Sequence, residues 1–189
     1  VAEVQAGDRI LDLGCGCGVV GISLATAVGD VHVTFVDSHV RATMVTELNC
    51  KANGLADYRV LQSDQGLDEK GQFSVFVANP PYFSNHKISE LFIRTAYRVL
   101  QPGGLFVACA PSRDTDPELT PYLPAEAPMT FDAESGLEMI GEYFHDVEPD
   151  RWDLPYYVLP DREAVVEYLC GRQHYRAVAN RVAEQVDLP

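Results

Sequence analysis

The sequence is poor in basic residues and lacks any long apolar segment. Its 189 residues include 14 Lys and Arg against 28 Asp and Glu, a formal net charge of −14. No apolar run approaches the roughly 20 residues that a bilayer-spanning helix needs, and no signal-peptide pattern opens the chain. We therefore expect a cytoplasmic protein with no membrane association. Because a negative field repels polyanions, we expect this chain alone to bind nucleic acid weakly.

The negative charge is concentrated in the second part of the chain. Residues 1–110 contain 8 Lys/Arg against 11 Asp/Glu, a net of −3, and residues 111–189 contain 6 against 17, a net of −11. The five cysteines form neither a disulfide framework nor a Cys-x-x-Cys metal pair, so we predict free thiols and no bound metal.

Strand-like and helix-like patterns alternate through residues 9–110. Strands are predicted at residues 9–13, 31–36, 58–62, 73–78 and 105–110, and helices at residues 19–28, 39–53 and 86–100. The second helix is predicted from apolar residues at helical spacing, namely Val40, Met44, Leu48 and Ala52. This alternation with short loops implies an α/β fold, with a mostly parallel sheet and helices on both of its faces.

The second part of the chain has a different texture. Five of the twelve prolines lie between residues 111 and 128, which predicts a loop or lid over residues 111–132. Helices are predicted at residues 133–144, 161–170 and 173–186, and one long strand or a hairpin at residues 147–159. The aromatic residues of that strand are expected to pack in the core, with an acceptor pocket as the alternative; they are Trp152, Tyr156 and Tyr157.

A glycine-rich turn joins the first strand to the first helix, in the sequence Asp12-Leu13-Gly14-Cys15-Gly16-Cys17-Gly18. Glycine lets the backbone turn tightly and approach a ligand closely, with helix amides directed at it. A dinucleotide-binding turn would have its third glycine at position 19, which is Val19 here. The candidate cofactor-binding residues of this turn are Asp12, Gly14, Cys15, Gly16 and Gly18.

Asp37 ends the second strand, 19 residues after Gly18. A carboxylate at this position can accept hydrogen bonds from both hydroxyls of a ribose. The alternative is that Asp37 caps the following helix, a role that Ser38 could also take; we place both residues among the candidate cofactor ligands.

The tetrapeptide Asn79-Pro80-Pro81-Tyr82 directly follows the fourth strand. Because open α/β sheets bind ligands at the carboxyl ends of their strands, this segment is a candidate catalytic site. The Asn79 side-chain oxygen and the Pro80 carbonyl can accept hydrogen bonds from a planar NH2 group, and Tyr82 can stack on a flat base or amide. The alternative is an ordinary proline turn.

These motifs resemble those of class I S-adenosylmethionine-dependent methyltransferases. Asn79–Tyr82 in particular looks like the signature of the small-domain group, which includes ribosomal RNA guanine-N2 and release-factor glutamine-N5 enzymes. The resemblance implies a Rossmann-like sheet of seven strands, six of them in this chain if the last is missing, and S-adenosylmethionine as cofactor. It also implies that Asp64, after the third strand, hydrogen-bonds the adenine amine, with a solvated loop residue as the alternative. We place Gln65 and Asn79 among the candidate cofactor-binding residues as well. Residues 131–170 look more like the tail of methyltransferases that act on small molecules.

The resemblance implies an N-methyltransferase, for which three roles stay open. In the first, the acceptor is guanine in ribosomal RNA. In the second, it is a protein glutamine or a small metabolite. In the third, the chain is a non-catalytic partner subunit that binds the cofactor. We predict a single domain over residues 1–189. Its cofactor-binding and catalytic half is 1–110, its loop or lid is 111–132, and its acidic half is 133–189. Because the chain starts at Val1 and not Met, we expect a fragment or processed product; a homodimer and a missing N-terminal domain both stay open.

Overall fold

In the part of the chain that the structure describes, five parallel strands form one sheet. The structure is a computed structural model and describes residues 3–82, 85–125, 128–152, 154, 157–172 and 174–187. The strands are β1 (Arg9–Leu13), β2 (His32–Asp37), β3 (Tyr58–Gln62), β4 (Phe73–Ala78) and β5 (Leu100–Ala108). They lie in the order β3-β2-β1-β4-β5, and every neighbouring pair is parallel. This confirms the predicted α/β fold with a parallel sheet.

Three helices connect these strands and cover both faces of the sheet. They are α1 (Val19–Val28), α2 (Val40–Ala52) and α3 (His86–Val99). Ile22 and Leu24 of α1 join one apolar cluster with residues of the sheet, whereas Phe92 and Ala96 of α3 join the cluster on the other face. The central strands are apolar on both faces because both are covered. Since the strands are parallel, the turns that follow β1, β2, β3 and β4 all lie at the carboxyl edge of the sheet.

The chain divides into two compact units. The first contains Val1–Pro111 and Met129–Val147, and the second contains Ser112–Pro128 and Glu148–Pro189. The first unit also holds the short helix α4 (Gly136–Gly141). The division into a single domain with boundaries at residues 110 and 132 stays a prediction.

The second unit has its own apolar core, built by α5 (Arg162–Gly171) and α6 (Ala179–Gln185). Leu119, which precedes a 3-10 turn at Thr120–Tyr122, packs into this core with Leu169 and Val182. Asp116 accepts hydrogen bonds from Tyr168 Oη at 2.6 Å and from the Arg172 guanidinium, so these interactions fasten the proline-rich segment to α5. Among the described residues, no helix has the length and apolar character to span a membrane.

Several sequence predictions about the second part of the chain are wrong. The sheet has five strands in the described ranges and not seven or six, and the described part of 147–159 forms no strand. Trp152 is 91% exposed and Tyr157 is 60% exposed, so neither packs in a core; Tyr156 lies outside the described residues. Apolar and aromatic residues favour strands only where a neighbouring strand and a buried face are present, and this segment has no strand partner among described residues.

Some element boundaries also differ from prediction. The helices predicted at 133–144 and 173–186 are shorter, at Gly136–Gly141 and Ala179–Gln185. β5 begins at Leu100 and not at residue 105, because Leu100 pairs with Phe73 and Leu105 pairs with Val75. Residues 101–104, which lie between the predicted helix and the predicted strand, are thus an irregular segment inside β5.

The apolar stripe that predicts α2 faces outward. Val40, Met44 and Leu48 are 53%, 62% and 64% exposed, whereas Thr46 and Cys50 are fully buried. The helix is therefore present, but the face that it turns inward is opposite to the face that apolar periodicity favours.

Candidate cofactor and acceptor site

The glycine-rich turn lies at the carboxyl edge of the sheet, between β1 and α1. Gly14, Gly16 and Gly18 all have left-handed backbone conformations, with φ of 70°, 56° and 82°. The amide of Gly14 donates to the Val36 carbonyl at 2.7 Å, which ties the start of the turn to β2. A Cβ atom built on Gly14 would lie 2.8 Å from Phe92 Cζ, whereas one built on Gly16 would have open space for at least 4 Å. The turn is therefore packed at its base and open at its tip.

Asp12 lies beneath the turn and is only 3% exposed. Its Oδ2 atom accepts a hydrogen bond from the Gly21 amide at 2.9 Å, which satisfies a donor in the first turn of α1. Burial is the main reason that the pKa of Asp12 rises to about 6; the Gly21 hydrogen bond opposes this rise, and the Asp37 charge adds to it. In this structure Asp12 supports the turn from below.

Asp37 connects the turn to the start of α2. Its Oδ2 accepts from the Gly16 amide at 2.9 Å, and its Oδ1 accepts from the His39 amide at 2.8 Å. Asp37 therefore does not cap α2, because the N-cap residue is His39 and no side chain caps this helix. Each carboxylate oxygen can accept two hydrogen bonds, so these contacts leave capacity for a ligand. Ser38 beside it is exposed.

Two side chains of α2 that the sequence patterns did not identify also hold the turn. Thr46 Oγ1 donates to the Gly16 carbonyl at 2.9 Å, and Asn49 Nδ2 donates to the Cys17 carbonyl at 2.8 Å. These contacts span about 30 residues of sequence, so no local motif reveals them.

The residues after β3 also reach this edge. Ser63 donates its amide to the Asp37 carbonyl at 2.9 Å, which places the segment beside the end of β2. Asp64 and Gln65, the next two residues, are both exposed. The structure therefore brings the candidate residues of the β1, β2 and β3 turns to one edge of the sheet.

The tetrapeptide after β4 has one buried residue and one exposed functional side chain. Pro80 is buried, Asn79 is exposed and Tyr82 is half-buried. Tyr82 Oη donates a hydrogen bond to Asn79 Oδ1. Burial raises the pKa of Tyr82 above its ordinary value, so its hydroxyl stays protonated near neutrality.

A distant segment fixes this tetrapeptide, and sequence reasoning missed it. The Tyr82 carbonyl accepts hydrogen bonds from the Thr130 amide at 2.8 Å and from Thr130 Oγ1 at 3.2 Å. The Ala133 amide donates to the Pro111 carbonyl at 2.9 Å, so the same segment is also fastened just beyond the end of β5. Thr130 is 48 residues from Tyr82, and no spacing rule connects them.

The two cysteines of the glycine turn differ in environment. Cys15 is buried with Sγ 3.5 Å from Thr46 Oγ1, and burial raises the pKa of its thiol to about 12; Cys17 is exposed. Among the residues that the structure describes, no cluster of three His, Cys, Asp or Glu side chains could hold a metal ion.

The arrangement of these groups suits a ligand that carries a ribose and must approach backbone closely. The open tip at Gly16 provides the close approach, and Asp37 provides carboxylate oxygens beside it. A family model, the methyltransferase small domain, matches residues 2–119, which is more than half of the chain. The chain belongs to this family. It is a methyltransferase domain whose cofactor is S-adenosylmethionine, as predicted.

Relatives and solved structures agree with this assignment. The methyltransferase is 39% identical over 108 residues to ribosomal RNA small subunit methyltransferase C of Marinomonas sp. (strain MWYL1). That match covers 54% of this chain and 30% of the relative, so the chain spans less than a third of the relative's length.

Two solved structures share the fold of this methyltransferase. One is a chain in the complex between the Haloferax volcanii Trm112 methyltransferase activator and a methyltransferase. It has a TM-score of 0.66 and 16% identity, and the match covers 97% of this chain and 80% of that chain. The other is a SAM-dependent methyltransferase from Aquifex aeolicus, with a TM-score of 0.57 and 16% identity over 75% of this chain and 73% of that chain.

Proposed function

We propose that this methyltransferase transfers a methyl group to a planar amino nitrogen, and that the acceptor is the exocyclic amine of guanine in ribosomal RNA. The tetrapeptide after β4 carries the first part of this proposal. The curated relative named above, a ribosomal RNA methyltransferase, supports the second part. An acceptor of this kind would place the protein in the cytoplasm.

The proposed cofactor contacts use the turns at the carboxyl edge of the sheet. Asp37 accepts hydrogen bonds from the ribose hydroxyls, Asp64 and Gln65 contact the adenine, and Ser38 and the glycine turn lie along the rest of the cofactor. Asn79 lies at its reactive end. When bound, S-adenosylmethionine supplies a methyl group already activated by a positively charged sulfur, so positioning of the acceptor is the main task left to the protein.

The proposed acceptor contacts use the tetrapeptide. Asn79 Oδ1 has two lone pairs, and the Tyr82 hydroxyl engages only one of them, so the second can accept a hydrogen bond from the substrate NH2. The Pro80 carbonyl is proposed as the second acceptor, and the Tyr82 ring stacks on the flat substrate. Two acceptors hold the amine in one plane, which leaves its lone pair directed out of that plane. The proton of the methylated nitrogen can leave to water, so we propose no histidine or other general base.

The charge of the second part of the chain favours a different acceptor. Residues 111–189 carry a net of −11, which opposes binding to a polyanion. An N-methyltransferase of a protein glutamine or a small metabolite is therefore the second candidate.

The decisive experiment follows labelled methyl groups into different classes of molecule. The protein is incubated at low salt with methyl-labelled S-adenosylmethionine and a cell extract. The extract comes from a strain in which the gene for this protein has been deleted. RNA, protein and small molecules are then separated, and the RNA nucleosides are identified by mass spectrometry. We expect label in small-subunit ribosomal RNA as N2-methylguanosine. Label in protein or small molecules would establish the second candidate instead, and cofactor binding without label in any fraction would indicate a non-catalytic subunit.

Substitutions separate the two halves of the proposed site. Asn79→Ala should abolish labelling while the cofactor dissociation constant stays within about tenfold of wild type, because the acceptor loses a hydrogen-bond partner whereas the proposed ribose and adenine contacts remain. The control is Asn53→Ala, which removes an exposed side-chain amide that follows α2 and donates to the Asn49 carbonyl. Full labelling by Asn79→Ala would show that the tetrapeptide is only a turn.

Asp37→Ala should instead weaken cofactor binding by about 1.5–3 kcal/mol, the usual contribution of a hydrogen bond to a charged group. Calorimetry with S-adenosylmethionine measures this change, and Asp30→Ala at an exposed site is the control. Unchanged affinity of Asp37→Ala would refute the ribose contact.

A further inference from the structure

The inward face of α2 buries Thr46 and Cys50 and is less apolar than the face that the helix exposes. Met44 and Leu48 are exposed, while the fully buried Thr46 faces the glycine turn. Apolar burial alone favours a helix turned the other way, with its aliphatic stripe against the sheet. An interaction of the inward face, which holds Thr46, must therefore offset the exposure of Met44 and Leu48.

That interaction is the attachment of the glycine turn. Gly16 is held at both of its backbone polar groups, because its amide donates to Asp37 and its carbonyl accepts from Thr46. The next carbonyl, of Cys17, accepts from Asn49. Thr46 and Asn49 are three residues apart on a helix and so project from the same face. Together they direct two consecutive carbonyl oxygens toward α2.

We propose that Thr46 and Asn49 are positioning residues for the cofactor. They act through the backbone of Gly16 and Cys17, and the rotation of α2 that places both side chains against the turn is what gives the turn its open shape. The cofactor carries a carboxylate and ribose hydroxyls, and a carbonyl oxygen turned toward that carboxylate would repel it. Holding both carbonyls against α2 removes this repulsion before the cofactor arrives, so the turn is preorganised. This inference rests on the proposed placement of the cofactor at the glycine turn.

The test removes the hydroxyl of Thr46 without changing its shape. Thr46→Val lacks the donor, Thr46→Ser retains it, and Thr43→Val is the matched control because the Thr43 hydroxyl donates to Val40 within the helix. We expect Thr46→Val to raise the dissociation constant for S-adenosylmethionine about fivefold, the effect of losing one hydrogen bond. Thr46→Ser and Thr43→Val should stay within about twofold of wild type.

Amide hydrogen exchange measured without cofactor gives an independent readout. Thr46→Val should accelerate exchange at the amides of residues 16–18, whereas Thr43→Val should leave them unchanged. If Thr46→Val fails to fold, Asn49→Ala replaces it, with the same two measurements and Asn53→Ala as its control.

The outcomes distinguish this inference from the proposed function. Wild-type affinity and wild-type exchange in a folded Thr46→Val or Asn49→Ala protein would overturn the positioning role. Faster exchange with unchanged affinity would also overturn it, since the turn would then be held without benefit to the cofactor. If wild-type protein binds no S-adenosylmethionine, the cofactor placement and the positioning role fail together. The exchange result would then report only whether α2 holds the turn.

Discussion

Alanine substitutions at three glycines separate backbone strain, packing and ligand approach. Gly14, Gly16 and Gly71 have similar left-handed conformations, with φ of 70°, 56° and 63°. Their surroundings differ: an added methyl group meets Phe92 at Gly14 but open space at Gly16 and Gly71. Gly71 lies just before β4, at the edge of the sheet opposite to the glycine turn. The three variants therefore share the same backbone strain, and they differ in packing and in the approach of a ligand.

The expected magnitudes follow from these contacts. Each alanine forces a side chain into the left-handed region, which should lower the free energy of unfolding by about 1–2 kcal/mol. At Gly14 the new Cβ would lie 2.8 Å from Phe92 Cζ, and overpacking of this kind adds roughly 1–3 kcal/mol. At Gly16 the methyl group enters the space proposed for the cofactor, so binding should weaken by at least about 1.4 kcal/mol, or tenfold.

Urea unfolding and calorimetry with S-adenosylmethionine measure the two effects. We expect Gly16→Ala and Gly71→Ala to lose similar stability, Gly14→Ala to lose more, and Gly16→Ala to lose affinity where Gly71→Ala does not. Wild-type affinity in Gly16→Ala would refute the approach of the cofactor to the tip of the turn. Equal stability of Gly14→Ala and Gly71→Ala would refute the tight contact with Phe92.

Three further predictions concern burial and charge. The pKa of Asp12 is raised to about 6 by burial, so the folded state holds its proton more strongly than the unfolded state. Between about pH 4 and 6 the free energy of unfolding of wild type should therefore fall by roughly 2 kcal/mol relative to Asp12→Asn, and parallel pH profiles from urea titrations would contradict this. Tyr168→Phe removes the hydroxyl that donates to Asp116 and should lower stability by about 1–3 kcal/mol in thermal or urea unfolding; an unchanged midpoint would show that this bond contributes nothing. Met44→Glu should reduce aggregation at high concentration, measured by light scattering, with little change in unfolding midpoint, because Met44 is 62% exposed; a large loss of stability would mean that its side chain is packed.

The elements predicted best are those whose signal is local. The strand at residues 9–13 and the helix at residues 19–28 match β1 and α1 in both of their ends, because a short apolar run beside a glycine turn is encoded within the segment itself. The described part of 147–159 forms no strand, contrary to prediction, because a strand requires a partner that local sequence does not reveal.

The same distinction applies to the candidate site. Motif spacing made Asp37 and Asn79 candidates, and the turns that hold them lie at one edge of the sheet, since parallel strands dictate it. Thr46 and Thr130 were missed because their partners, Gly16 and Tyr82, are 30 and 48 residues away. Side chains that support a site through its backbone have no fixed spacing, whereas side chains that end a strand do.

The path of the chain between its two compact units limits how the protein can be shortened. The chain crosses from one unit to the other three times, after Pro111, Pro128 and Val147. A truncation at Val147 would keep Ser112–Pro128 but delete α5 and α6, leaving Leu119 without the core in which it is buried. A minimal version of the first unit must therefore also excise Ser112–Pro128. The hydrogen bond between the Ala133 amide and the Pro111 carbonyl shows that residues near both ends of this excision are close together, so a short glycine linker should close the gap.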